Sequence, residues 1–244
     1  MTLTRAEAAR KALHIGMAGF ALLLPSISWG VALAAAGAAC LFNVLLLPRV
    51  APYFLRREEG EKGFSLGIAL YPLVVLVLLI LFRRNLPVAA AGWGYLAFGD
   101  GFASLCGMGF GGPRLPWNSR KSFSGLLGFL FFGFLGASFL FGFLSSRIPS
   151  PSELICLFAG ALAGAALESL PSELDDNVLP PLVGAAVLAC LLFTRAGWAD
   201  VFGAGAARGF LIALLVNAVV SGIALALRLV RPSGALAGAL LGTV

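Results

Sequence analysis

From Val74 to Leu81 the chain carries no polar side chain at all, and apolar runs of this kind recur along most of its length. They cover roughly 9–24, 29–47, 64–82, 87–107, 122–144, 152–170, 178–193 and 209–227. As helices, most of these are long enough to cross about 30 Å of hydrocarbon. Pro25, Pro48, Pro87, Pro149, Pro151 and Pro171 fall at or beside the run ends, where a missing backbone N–H costs least. Apolar and polar residues do not alternate within the runs, as barrel strands would require. Glycine and alanine crowd the fourth to sixth runs, as in AGALAGAAL at 159–167, so helix backbones can approach closely. The pattern predicts an all-α fold, a polytopic integral membrane helix bundle of about eight transmembrane helices.

Composition makes the same point. Apolar residues form 60% of the 244 positions, with 31 glycines besides, and charged residues only 11%. Soluble domains carry about 25% charged residues. No soluble fold of this length hides so much apolar surface, so lipid is the solvent for most of the chain. The net charge of +6 does not point to nucleic acid, because the basic residues sit in small clusters between apolar runs rather than along one helix face. Lysines and arginines in such loops set membrane orientation. Most fall in the N-terminal tail and in the loops after the second and fourth runs; the opposite side receives only Arg83, Arg84, Arg147, Arg195 and Arg208. Both termini are therefore expected in the cytoplasm of a cell (inner) membrane, with the Arg83–Arg84 pair opposing. The opening TLTRAEAARKALHIG lacks a small-residue cleavage site and reads as a tail before a first span. Cys40, Cys106, Cys156 and Cys190 lie far apart in apolar stretches, which indicates neither a zinc site nor a disulfide framework.

In such a chain an ionisable residue at membrane depth is costly and usually functional. Asp100 lies near the end of the fourth run and Glu168 at the end of the sixth; Asp175, Asp176 and Asn177 precede the seventh, and Lys121 follows the fourth. The orientation from loop charges brings all of them to the cytoplasmic face. Carboxylates and an asparagine without clustered histidine or cysteine are hard oxygen ligands, suited to Mg²⁺. Lys121, with Arg120 beside it, suits phosphate oxygens, and Ser122 adds a hydroxyl just before a helix N-terminus. GMGFGGPR (107–114), with Gly109 and Gly111, could bring backbone N–H groups close to a nucleotide. These parts together suggest metal-assisted phosphoryl or nucleotidyl transfer. Plainer roles stand beside them. Asn177 could cap a helix, Asp175 and Asp176 could favour its dipole, Glu168 could be a packed acid, and Lys121 and Arg120 could be ordinary cytoplasmic charges. Glu58, Glu59 and Glu61 read as solvated. Neither GxGxxG after a strand nor GxxxxGK[ST] is present.

RKALHIG (10–16), FGDGFASLCGMGFG (98–111), SRKSFSGLLGF (119–129) and ALESLPSELDDNVLPPLVGA (166–185) resemble the polyprenol kinase family of phytol, farnesol and dolichol kinases. CTP-dependent diacylglycerol kinases belong to the same broad group, which is related to phosphatidate cytidylyltransferases. The ordered set covers residues 10 to 193. The resemblance implies a membrane enzyme that passes a phosphoryl group from a nucleoside triphosphate, commonly CTP, to a lipid alcohol with Mg²⁺. It implies site roles for Asp100, Lys121, Ser122, Gly125, Glu168, Asp176 and Asn177, with Arg10, Lys11 and His14 as additions. Its nearest rival joins CTP to phosphatidate to make CDP-diacylglycerol, and a rival of another class is an ion-coupled transporter or scaffold. A homo-oligomer is left open. Residues 1–208 are expected to form the polyprenol-kinase-like membrane domain. Residues 209–244 read as a last helix and the opening of a possible second, phytyl-phosphate-kinase-type membrane domain, either truncated from a longer fusion, the reading preferred, or ending in a re-entrant tail.

Overall fold

The computed structural model describes residues 5–51, 65–171, 176–194, 211, 214–219 and 221. Helix α1 (Arg5–Gly16) runs into a 3₁₀ helix, Met17–Ser26, that buries Ala18, Ala21 and Leu24. The Ser28 hydroxyl caps α2 (Trp29–Leu41), accepting from the Val31 N–H at 3.3 Å. A π turn, Phe42–Leu46, then leads into α3 (Leu47–Val50). Pro48 has no N–H, and its ring would crowd the carbonyl four residues back, which the wider turn accommodates. Ser65 caps α4 (Leu66–Leu81). Then α5 (Leu86–Gly94), a second π turn (Tyr95–Asp100) and α6 (Gly101–Gly109) follow without a break.

Sequence reasoning did not anticipate what comes next. Strands β1 (Arg114–Leu115) and β2 (Asn118–Ser122) form a small antiparallel hairpin, pairing Arg114 with Ser122 and Leu115 with Asn118. Helices α7 (Phe123–Leu144), α8 (Pro151–Ser169) and α9 (Leu179–Phe193) complete the described bundle. A capping box joins Ser150 and Glu153 at the start of α8, satisfying two N–H groups that would otherwise lack partners.

The core lies around α5. Val88, Ala89, Ala90, Ala91, Tyr95 and Leu96 are all buried, as expected of a helix that is apolar on every side. Small residues bring its neighbours close. A Cβ on Gly94 would lie 2.6 Å from the Ala137 Cα, and one on Gly160 would lie 2.6 Å from the Gly184 carbonyl oxygen. Into the notch between α8 and α9 goes the Tyr95 ring, whose hydroxyl donates to the Leu157 carbonyl at 2.8 Å. By contrast Leu41, Phe42, Leu45 and Val50 are exposed, the pattern of a helix whose outer face meets lipid.

Among the described residues, Trp29–Val50, Phe123–Leu144 and Pro151–Ser169 are long and apolar enough to cross a membrane, and Leu66–Leu81 and Leu179–Phe193 are apolar but shorter. Most of the expected eighth run, and the expected second domain from 209, lie outside the described residues. The Arg83 that opposes the orientation rule has a local partner: its guanidinium stacks 4.3 Å above the Trp29 ring.

Candidate active site

The hairpin carries Lys121 to the C-terminal end of α8. Gly111 and Gly112 start it with φ of +63° and +97°, left-handed values that glycine adopts without strain. Two hydrogen bonds then fasten it. The Trp117 indole N–H donates to Ser169 Oγ at 3.2 Å, and the Asn118 amide donates to the Ser169 carbonyl at 3.1 Å. The Asn118 oxygen turns back to accept the Arg120 N–H at 3.1 Å. Held in this way, Lys121 Nζ pairs with both Glu168 Oε1 and Asp176 Oδ2. The Glu168 side chain is 5% exposed and that of Asp176 39%, so the ammonium joins a buried acid to one at the surface. Burial pushes the Lys121 ammonium towards losing its proton, but the Glu168 and Asp176 carboxylates outweigh it and hold Lys121 above the ordinary lysine value.

Asp100 belongs to a second cluster. Lys11 Nζ lies 2.7 Å from Asp100 Oδ2, and His14 Nε2 lies 3.3 Å from the same oxygen. His14 Nε2 is also 3.0 Å from the Leu96 carbonyl; a carbonyl only accepts, so this nitrogen carries the proton. The His14 ring meets Tyr71 edge-on at 4.6 Å, and the Tyr71 hydroxyl accepts the Trp93 indole N–H at 2.9 Å. The expected parts thus form two ion-pair groups, Lys121 with Glu168 and Asp176, and Asp100 with Lys11 and His14. Among the described residues no three of His, Cys, Asp or Glu gather closely enough to hold a metal ion.

The remaining expected residues divide. Ser122 is buried, and its oxygen caps α7 by accepting the Gly125 N–H at 3.2 Å. Gly125 lets α7 approach α6, where a Cβ would lie 2.9 Å from the Ala103 carbonyl. Gly109 has open space around it, and Arg120 is exposed. Arg10 pairs with Glu7 at 2.8 Å on its own helix. Asp175 lies outside the described residues, as do Glu58, Glu59 and Glu61. Asn177 does not cap the seventh apolar helix: Val178 holds that position, with no side-chain cap. Trp117, Asn118 and Ser169 escaped sequence reasoning. An aromatic in a basic loop beside apolar runs is the one signal that could have pointed to Trp117.

The chain is 28% identical over 181 residues to phytol kinase 1, chloroplastic, of Arabidopsis thaliana, covering 71% of this chain and 56% of that protein. It is 34% identical over 136 residues to the farnesol kinase, chloroplastic, of Arabidopsis thaliana, covering 54% of this chain and 44% of that protein. It is related to the phytol and farnesol kinases. A further relative of this kind, the probable phytol kinase, chloroplastic, of Triticum aestivum, is 30% identical over 143 residues, covering 56% of this chain and 47% of that protein. Kinship with phytol and farnesol kinases bears out the resemblance drawn from the four motifs. The chain spans about half the length of the curated relatives it matches. No family model matches it, and no solved structure matches it significantly.

Proposed function

We propose that the chain is an integral membrane lipid-alcohol kinase that moves the terminal phosphoryl group of a nucleoside triphosphate, CTP in this reading, onto a prenol. The observation that carries the proposal is the Lys121 ammonium set between buried Glu168 and half-buried Asp176, in a chain whose relatives are named phytol and farnesol kinases. A charged donor at the edge of a low-dielectric region stabilises developing phosphate charge far better than it would in water.

The donor set beside Lys121 fits Mg²⁺. Glu168 Oε2 is buried and makes no hydrogen bond among the described residues, and Asp176 adds hard carboxylate oxygens. Asp176 and Glu168 would hold the ion, with Asn177 next to Asp176 as a further oxygen donor; Asp100, paired with Lys11 and His14, stands apart. When bound, it supplies neutralising charge to the triphosphate. Lys121 orients the phosphate oxygens, and the α7 N-terminus behind Ser122 adds a positive dipole end. The alcohol oxygen forms the new P–O bond as the bond to the leaving nucleoside diphosphate breaks, and the hydroxyl proton passes to a carboxylate of this set. The same reading gives about eight spans, with both termini and the site on the cytoplasmic face.

Purified full chain with Mg²⁺, prenols, diacylglycerol and triphosphates labelled at either the α or the γ phosphorus tests this. The proposal requires γ label in a prenol. α label in the lipid would mean cytidylyl transfer and would overturn it.

A further inference from the structure

Beside the Lys121 cluster a groove of about 400 Å³ runs between α7 and α8, within the range of small-molecule sites. Leu126 and Leu130 form one wall; Leu162, Ala166 and Ser169 form the other, at the i, i+4, i+7 spacing of a single helix face. The walls are apolar along their length. Trp117 lies at the hairpin end, and the polar side-chain groups of the lining are found there: the Trp117 indole N–H donates to Ser169 Oγ at 3.2 Å and the Ser169 hydroxyl donates to the Ala166 carbonyl at 2.6 Å, which leaves Ser169 Oγ one lone pair to accept with. Ser169 is the chain neighbour of Glu168. Leu162 is 51% exposed, so the groove opens sideways, where lipid lies.

We propose that this groove is the acceptor subsite: it takes the isoprenoid chain of the lipid alcohol, with the hydroxyl at Trp117 and Ser169 and the tail between α7 and α8. This rests on the kinase reading and names the substrate's place in it. An apolar trough with one polar end is the shape of an amphiphile whose only polar group is terminal, and the end that is polar is the end beside the phosphoryl-transfer cluster. Entry from the side lets the tail remain in lipid throughout. A second groove of about 270 Å³, lined by Phe98, Phe102, Phe132 and Phe139 among others, offers no polar side chain and serves as the internal control.

The test is photo-crosslinking of the full chain in phosphatidylcholine nanodiscs with a farnesol analogue bearing a diazirine on its tail, without nucleotide. The subsite predicts label on 126–130 and 162–166, removed by excess farnesol and reduced about tenfold by Leu162→Trp, which fills an open position. Label on the phenylalanine-lined groove, or label at 162–166 that excess farnesol leaves in place, overturns it. Turnover supplies the second arm. Ala166→Phe should raise KM about tenfold more for a twenty-carbon prenol than for a ten-carbon one, and an equal change for both overturns the subsite. Specific label in a protein that phosphorylates no lipid would sink the kinase reading and leave the subsite standing. Active kinase with no label in the groove would do the reverse.

Discussion

Lys11 places its ammonium 2.7 Å from Asp100 Oδ2 across 89 positions of chain, with both side chains largely buried. The N-terminal helix is thereby pinned to the π turn at the centre of the bundle, and His14 reinforces the same contact through the Leu96 carbonyl.

Breaking a buried pair from one side leaves an uncompensated charge and costs about 3–5 kcal/mol. Asp100→Asn and Lys11→Met should each lower the melting temperature in detergent. The double variant should lose less than the sum of the two. Additive losses would show that the two side chains do not act on one another.

Close helix packing predicts a contrast between two glycines. Gly94→Ala drives a Cβ to within 2.6 Å of Ala137 backbone and should destabilise by about 1–3 kcal/mol. At Gly37 nothing lies within 4 Å, so alanine there should be neutral or stabilise by up to about 1 kcal/mol through lower chain entropy. Thermal unfolding of both variants checks the pair.

Lys121 gives a pH test. Its value is raised in the folded chain, so the stability it contributes is complete below the ordinary lysine pKa of about 10.4 and is lost only as pH rises through the folded value. In Lys121→Met the buried Glu168 carboxylate loses its cation and is costlier to ionise, so the stability difference between wild type and this variant should hold or widen from about pH 6 to pH 9. A difference that collapses inside that window would contradict the double pairing with Glu168 and Asp176.

Helices α4, α7, α8 and α9 follow the predicted runs within a few residues, because an uninterrupted apolar stretch between a serine or proline start and a polar end is a local signal. The hairpin was not legible. Its strands are short, PWNSRK reads as a loop, and its hold on the bundle is the Trp117 and Asn118 contact with Ser169, some 50 positions away. The π turn at Tyr95–Asp100 was equally hidden, since it accompanies the seating of Tyr95 between Gly160 and Gly184. Loop charges placed Lys121, Glu168 and Asp176 on one face, and the structure brings these three together. Periodicity could not reveal that Asp100 pairs with Lys11 and His14 instead, because partner choice among buried charges is decided by tertiary geometry.

The central claim is that phosphoryl transfer happens at the Lys121 cluster, and its most direct test is prenol phosphorylation by Lys121→Met, read beside the thermal unfolding of the same preparation. The account predicts a folded protein whose turnover falls by at least about a hundredfold. Near-normal turnover in the folded variant would contradict it.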